Sequence, residues 1–397
     1  MINFFKKHLG DEASKYTNPL LFILATIVSI SPVIHFYSPI KGNVISALAL
    51  LFLLIPNAKY IASKFRIAIF ISSSILLSGA SAIYWGEAKY LLLQTYFILS
   101  VLTLFCLNDS DLKKTVHYLT VIFLILLLGA FVGYFYAYYQ GTPIIKITNP
   151  DGRSNSLFLS SFTNSVYGNT IRPSGIFDEP GALSFLVCIL VCMRELFKLN
   201  RRISWLLLFM GLITSSIAHL IFCFFYLIHS SQTIKFSKKI ILNTCLIGFA
   251  FLTMLYFIPP IYTLLHDFFL NRFNSSIGQD RIATTLNAIS YLNMSSFFWG
   301  LDSYCALGSG LCWFMRFSNY SDNPLSLLIH WGFLISWPYY LSLIYSFWRG
   351  TVKKDFYIFG LFLLLLQRPY IMSYGYSLLL VFALYYPFKQ VFLNSRR

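Results

Sequence analysis

The sequence predicts an all-α polytopic integral membrane protein: one membrane domain over residues 1–397, with about 12 transmembrane helices and two large loops on one side. The first observation is composition, because 57% of the residues are hydrophobic and only 11% are charged, whereas a soluble domain carries about 25% charged residues. The second is that the apolar runs are long and continuous, which favours helices over alternating strands. The third is that charged residues collect between those runs. These features exclude a soluble globular domain, a disordered chain and a fibrous protein.

The apolar runs place the predicted spans. A helix that crosses a bilayer needs about 20 mostly apolar residues. Runs that satisfy this criterion are found at 20–38, 41–57, 66–84, 88–107, 116–139, 180–198, 240–258 and 324–348. Residues 203–229 are too long for one helix and contain a break at Ser215, and residues 356–388 are interrupted at Arg368. We interpret each of these two segments as a helical hairpin.

The distribution of Lys and Arg supports the two hairpins. With the amino terminus in the cytoplasm and both segments folded as hairpins, 21 of the 30 Lys and Arg residues lie on the cytoplasmic side, as the positive-inside rule requires. If residues 203–229 formed a single span, only 16 of the Lys and Arg residues would lie on the cytoplasmic side. We therefore expect both termini in the cytoplasm. The net charge of +16 is then an orientation signal towards anionic lipid, and we expect no nucleic-acid partner.

Neither the cysteines nor the amino-terminal segment indicates a further class of site. The seven cysteines contain no Cys-x-x-Cys pair and no Cys/His cluster, so the sequence predicts no metal and no cofactor. Lys6, Lys7 and Lys15 precede an apolar stretch that lacks a small-residue cleavage signal. We expect an uncleaved first span.

Two long outward loops carry the candidate chemistry, at 140–179 and 259–322. Long ordered loops are usually functional. Arg is the residue that binds phosphate groups through a planar fork and stays charged. Six of the nine outward basic residues are arginines, namely Arg153, Arg172, Arg272, Arg281, Arg316 and Arg368. These loops are therefore suited to binding an anionic headgroup. The alternative for any one of these arginines is that it only forms an ion pair with an acidic residue of the loops.

The sharpest local pattern closes the first loop and runs from Arg172 to Gly181. Pro180 fits the first turn of a helix, and Asp178 and Glu179 would lie at its amino terminus, where the helix dipole favours a carboxylate. A simple acidic cap is the alternative for one of the two acids. Arg368 stands between two short apolar segments at membrane depth, where ionisable groups are costly and mark functional sites; its alternative is to extend towards the headgroups.

The second loop holds a looser set of candidates. Arg281 opens a predicted amphipathic stretch, 281–294, and the loop continues through Trp299 to Asp322 and Asn323. The Trp299 ring could stack on a sugar face or belong to an interfacial aromatic belt. The sequence leaves open whether Cys305 and Cys312 form a disulfide.

At these residues the chain resembles the O-antigen polymerase (Wzy) family and its relative, the O-antigen ligase family. The pattern Arg172-x-x-Gly175-x-Phe177-x-Glu179-Pro180 is similar to the first-loop signature of the polymerases. The number of spans, the cytoplasmic termini and the two large periplasmic loops are similar as well.

The second loop adds two points of resemblance. Arg281 is similar to the family's second-loop arginine, and Asp322-Asn323 followed by Gly332 resembles the family element at the junction of loop and span. Ligases begin that element with His-Asn, so Asp322 favours a polymerase.

The resemblance implies an enzyme of the bacterial inner membrane that acts at the periplasmic face. It would join repeat units carried on undecaprenyl pyrophosphate, with undecaprenyl pyrophosphate as the leaving group and without metal or nucleotide sugar. The expected partners are the lipid-linked oligosaccharide and membrane lipid, and a chain-length regulator protein is left open.

The residue roles follow from that chemistry. We expect Arg172, Arg281 and Arg368 to stabilise the charge on the leaving pyrophosphate, and Glu179 or Asp322 to act as the general base. Asp178, Asn323 and Trp299 are further substrate-binding candidates. The alternatives are an O-antigen ligase, which transfers the glycan to lipid A core, and a lipid-linked oligosaccharide flippase.

Overall fold

The computed structural model describes residues 10–31, 34, 38–55, 65–148, 154–167, 170–233, 292–301, 324–372 and 374–394. This part of the chain is mostly helical. The helices are α1 Gly10–Ile30, α2 Gly42–Leu54, α3 Phe65–Trp85, α4 Lys89–Leu93, α5 Thr95–Cys106, α6 Asp109–Gln140, α7 Pro180–Leu196, α8 Arg201–Gly211, α9 Ile217–Thr233, α10 Met294–Trp299, α11 Ser326–Thr351, α12 Phe356–Gln367 and α13 Tyr374–Asn394. Short 3₁₀ turns follow at Leu212–Thr214 and Tyr370–Met372.

A helix covers most of every other predicted span that falls within the described residues, whereas in the predicted span at 20–38 helix α1 ends at Ile30. Among these helices, Asp109–Gln140 and Ser326–Thr351 are long and apolar enough to cross a membrane. The predicted span at 240–258 and most of the loop at 259–322 lie outside the described residues. The count of twelve spans therefore stays a prediction.

Helix α6 presents an apolar stripe on the outside of the structure. Val121, Ile125, Leu128 and Val132 are spaced three and four residues apart and are 44–62% exposed, so they share one helix face. A soluble protein rarely exposes a continuous apolar face of this kind. The stripe is typical of a helix that contacts lipid.

Helix α7 lies at the centre of the bundle, and every residue from Pro180 to Glu195 is buried. We call the two ends of the bundle the Glu179 end and the Glu195 end, after the residues at either end of this helix. At the Glu195 end, the Glu195 carboxylate accepts a hydrogen bond from the Tyr226 hydroxyl at 2.6 Å and lies 3.4 Å from Arg201. Because buried charges are costly, these partners keep the carboxylate stable there.

Both segments that were predicted to be hairpins turn back within the bundle. Helix α8 starts beside Glu195 and α9 returns to the same end, where His229 lies 3.9 Å from the Glu195 carboxylate. The turn between them is a 3₁₀ turn followed by Ser215 in a left-handed conformation with φ 48°. The break predicted at Ser215 is therefore confirmed.

The carboxy-terminal hairpin behaves in the same way. It begins at Asp355, whose carboxylate pairs with Arg349 at 2.5 Å. It breaks at Arg368, at the Glu179 end, and α13 returns to the Glu195 end, where Phe197 packs on Tyr386 with ring centroids 5.0 Å apart. The interruption at Arg368 thus separates two antiparallel helices.

The first long loop folds into short strands that the sequence analysis did not predict. An antiparallel sheet contains β1 Ile145–Thr148, β2 Ser154–Phe158 and β3 Ser161–Thr163, and a two-stranded ladder contains β4 Val166–Tyr167 and β5 Thr170–Ile171. The sheet lies against α6, where a Cβ built on Gly133 would come within 2.6 Å of the Ser161 Cβ. A glycine is required at this contact because a larger residue would push the sheet away.

This close contact gives a stability prediction. Gly133→Ala should lower the free energy of unfolding by about 1–3 kcal/mol, because the new methyl group overpacks the contact between α6 and β3. The measurement is denaturant unfolding of the purified protein in detergent. Gly79→Ala is the matched control, since a Cβ built there meets nothing within 4 Å; equal loss in both variants would contradict the packing argument.

Candidate functional site

The turn that leads into α7 is held by hydrogen bonds from the three-stranded sheet. The Gly175 amide donates to the Ser161 hydroxyl at 2.9 Å, and the Phe162 amide donates to the Gly175 carbonyl at 2.7 Å. Gly175 has φ +62°, a left-handed conformation that glycine adopts without strain. The Ser174 hydroxyl donates to the Phe177 carbonyl at 2.6 Å. The loop pattern seen in the sequence is therefore a fixed turn.

Phe177 anchors this turn in the bundle. Its side chain is fully buried, and its ring stacks on Phe123 of α6 with centroids 6.2 Å apart. Burying a phenylalanine contributes about 1.5–3 kcal/mol. The buried Phe177 side chain thus fixes the position of the next two residues, Asp178 and Glu179, at the start of α7.

Glu179 is the N-cap residue of α7, and Pro180 occupies the first helical position, as predicted. The Glu179 side chain makes no capping hydrogen bond to its own helix. Its Oε1 atom instead accepts from Nη1 of Arg368, 189 positions later in the chain. The alternative of a simple acidic cap therefore does not describe Glu179.

Arg368 reaches Glu179 because α12 ends there. It is the C-cap residue of α12 in an extended conformation, φ −133° and ψ 95°, and Pro369 cannot continue the helix. Its guanidinium also donates to the Tyr370 hydroxyl at 2.9 Å. A Cβ built on Gly181 would lie 2.1 Å from Nη2 of Arg368, so the guanidinium rests directly on the first turn of α7.

Aromatic residues enclose this ion pair. The Tyr370 hydroxyl donates to Oε1 of Glu179 at 3.3 Å, so Tyr370 contacts both charged partners. Its ring packs on Tyr376 with centroids 4.7 Å apart and on Phe185 at 5.9 Å. The sequence analysis missed Tyr370 and Tyr376, although Tyr370 lies two residues after Arg368, which it had singled out.

Asp178 and Arg172 lie at the same end of the bundle. Asp178 is within electrostatic range of the Tyr376 hydroxyl, as are Glu179 and Arg368. The Arg172 side chain is buried, and its Nε donates to the Thr214 carbonyl at 3.0 Å, in the turn between α8 and α9. Arg172 thus ties the first loop to the α8–α9 turn.

The Glu179–Arg368 pair is largely buried, but a part of each side chain remains accessible to solvent and to a ligand. The Arg368 and Glu179 side chains are 10% and 18% exposed. Ion pairs in such surroundings interact more strongly than at an open surface, and removing one partner leaves a costly buried charge. A charged ligand that entered here would compete with the existing partner for the same guanidinium.

Trp299, predicted as a sugar-stacking candidate, contacts α3. Its ring stacks on Tyr84 with centroids 4.3 Å apart, and its carbonyl accepts from Trp85 Nε1 at 2.8 Å. One face of the Trp299 ring is therefore occupied by the protein. In the described part of the chain, no contact joins Trp299 to Glu179 or Arg368, and its role with sugars stays a prediction.

Several predicted residues fall outside the described ranges. These are Arg281, Asp322, Asn323, Cys305 and Cys312. Of the predicted site residues within the ranges, the structure brings Glu179 and Arg368 into direct contact and places Arg172 and Asp178 at the same end. Gly332, part of the junction element, kinks α11 with φ 70° and ψ 171° where it crosses Gly300.

Comparison with models of known protein families, with curated proteins and with solved structures finds no match to this chain. The assignment of function therefore depends on the chain's own residues and geometry, together with the motif resemblance described above.

The ion pair predicts strong coupling between two distant positions. Glu179→Gln and Arg368→Met should each lower the free energy of unfolding, and the double variant should lose less than the sum, with a coupling of about 1–3 kcal/mol. Denaturant titration of the detergent-purified variants measures this. Lys353, an exposed residue at the Glu195 end, supplies the control: Glu179→Gln combined with Lys353→Met should be additive, and additivity in both cycles would refute the coupling.

Proposed function

We propose that the chain is a membrane-embedded polysaccharide polymerase that joins oligosaccharide repeat units carried on undecaprenyl pyrophosphate. In this reaction a sugar hydroxyl of the next lipid-linked unit attacks the anomeric carbon of the growing glycan. A new glycosidic C–O bond forms, the anomeric C–O bond to the pyrophosphate breaks, and undecaprenyl pyrophosphate leaves with the electron pair. The hydroxyl proton passes to a base on the protein.

The observation that carries the proposal is the Glu179–Arg368 ion pair at the end of a buried helix. The reaction needs a cation for the leaving pyrophosphate and a carboxylate for the acceptor proton, within reach of one another. The pair supplies both groups, and Glu179 belongs to the first-loop motif that resembles the polymerases.

Arg368 is the residue we assign to the leaving group. Charge develops on the pyrophosphate oxygens as the anomeric bond breaks, and a fixed guanidinium aimed there lowers the barrier. A guanidinium binds two oxygens in parallel and stays charged at every physiological pH. Arg172 and Arg281 are assigned the same kind of role on the evidence of the motif resemblance.

Glu179 is the residue we assign as general base. A carboxylate paired with an arginine is a weak base, because the cation favours its charged form. When the pyrophosphate binds Arg368, it competes with Glu179 for the guanidinium. The released carboxylate is then a stronger base at the moment when the donor sugar is in place.

The arrangement fits an enzyme whose substrate has a lipid tail. The apolar stripe of α6 suits contact with lipid, and a polyprenyl chain would lie beside such helices. The Lys and Arg count favours the Glu195 end facing the cytoplasm and the Glu179 end facing the periplasm. We propose the bacterial inner membrane as the location on this basis.

Deleting the gene and analysing the cell's lipopolysaccharide by gel electrophoresis tests the function. We expect core carrying a single repeat unit, without the ladder of longer chains. Complementation with the wild-type gene should restore the ladder, whereas Arg368→Ala and Glu179→Gln should not, because each removes a group required in the transition state.

Arg202→Ala is the matched control, since Arg202 is an exposed arginine close to the Glu195 end, and it should restore the ladder fully. Core without any repeat unit in the deletion strain would overturn the polymerase assignment and favour a ligase or a flippase. A full ladder with Arg368→Ala, at normal protein level, would overturn the site while leaving the function in place.

Gly181→Ala tests the position of the guanidinium without changing any charge. The added methyl group would lie 2.1 Å from Nη2 of Arg368, so the guanidinium must move. We expect the yield of long chains to fall by about tenfold to a hundredfold, the usual cost of misplacing a catalytic group. Quantified ladders from complemented cells give the measurement, and Gly79→Ala should behave as wild type; an unchanged ladder in Gly181→Ala would argue against a catalytic Arg368.

A further inference from the structure

A cleft of about 360 Å³ opens where the end of α6 meets the strands of the first loop. In the sequence, the residues that line the cleft come shortly before those of the Glu179 site, and the two sets share no residue. The side chains that define its character are Pro143, Lys146, Ser154, Ser156, Asn164 and Val166. Its size falls in the range of small-molecule sites, which is about 300–1,000 Å³.

Strand register gives the cleft a continuous polar row. Lys146 of β1 stands directly opposite Ser156 of β2, and Ser154 stands opposite Thr148. Residues opposite each other in a ladder, and residues two apart in one strand, share a face of the sheet. Lys146, Ser154 and Ser156 therefore line the same face at fixed spacing.

The chemistry of this lining matches a carbohydrate. Serine hydroxyls and the Asn164 amide both donate and accept hydrogen bonds, as sugar hydroxyls require. Pro143 and Val166 add apolar surface suited to the C–H face of a sugar ring. Among the described residues of the lining, Lys146 alone carries a formal charge, and none of the described carboxylates pairs with it.

The same strands hold the Glu179 site. The Thr163 hydroxyl of β3 donates to the Arg172 carbonyl at 2.5 Å, and the Ser161 hydroxyl accepts from the Gly175 amide at 2.9 Å. A ligand in the cleft is thus held by a sheet that is hydrogen-bonded to the turn carrying Glu179. This gives the cleft a fixed position relative to the proposed reaction centre.

We propose that this cleft is a glycan subsite that binds a short stretch of the polysaccharide and contacts the carboxylate of an acidic sugar through Lys146. The inference rests on the proposed function for its biological role. The binding itself needs neither pyrophosphate nor catalysis, so the two ideas can be tested apart.

The test measures binding of glycan fragments to the full-length protein in detergent. The probes are fragments of the host's own surface polysaccharide prepared by partial acid hydrolysis, used as they are and after chemical reduction of their carboxyl groups to alcohols. Calorimetry should show that the wild-type protein binds the acidic fragments about fivefold more tightly than the reduced ones, since a charge-assisted hydrogen bond is lost on reduction.

Two variants separate the parts of the proposal. Lys146→Gln should bind both probes equally, at the affinity of the reduced fragments. Ser154→Tyr should abolish binding of both, because its ring fills the cleft at an exposed position that tolerates a larger side chain. Lys113→Gln and Ser231→Tyr, both at exposed positions away from the cleft, should bind as the wild type does.

Three results would overturn the inference: no binding of either probe to the wild type, unchanged binding in Ser154→Tyr, or a host polysaccharide without acidic sugars. Failure of the polymerase function looks different. In that case the deletion strain keeps its ladder or shows core without any repeat unit, whereas fragment binding and its loss in Ser154→Tyr still support the cleft.

Discussion

The ion pair between Glu179 and Arg368 is the contact on which the arrangement of the site depends. It joins the start of the central helix to the point where the carboxy-terminal hairpin breaks. Two charges taken out of water are costly, and they are kept there only when geometry and further hydrogen bonds repay that cost. Tyr370 supplies such bonds to both partners, and Gly181 supplies the space. The position of the hairpin against α7 is therefore fixed by polar contacts at one end and by apolar packing along the rest.

A second constraint concerns where charge is placed in a bundle with an apolar surface. Among the described residues, ion pairs lie at the two ends of the central helix: Glu195 with Arg201 at one end, where Tyr226 also donates to Glu195, and Glu179 with Arg368 at the other. Each has a partner, because an unpaired charge in such surroundings would destabilise the fold. The Glu195 end has connections of a few residues around α7, whereas the Glu179 end carries the strands and the cleft. The Glu195 end thus mainly connects the helices, and the Glu179 end carries the residues of the proposed reaction.

Much of the fold was predictable, since apolar runs of span length determine helices almost regardless of context. Pro180 set the start of α7 correctly, and the break at Ser215 followed from the length of its segment and from the charge distribution. The strands of the first loop were not predictable, because they are two to five residues long and show weak alternation. The pairing of Glu179 with Arg368 could not be predicted either. Both residues were singled out in the sequence, but no local pattern encodes a contact between residues 189 positions apart.

The pairing has a consequence for the order of events in the proposed reaction. A carboxylate held by an arginine takes a proton inefficiently, so in the proposed reaction the Glu179–Arg368 pair has to open before Glu179 acts as the base. An anion that competes for the guanidinium releases the carboxylate, and the donor's pyrophosphate is such an anion. In the proposed reaction the base therefore becomes effective when a donor occupies the site. The acceptor sugar then meets an activated carboxylate next to a bound leaving group, and one exchange of partners at Arg368 prepares both ends of the transfer.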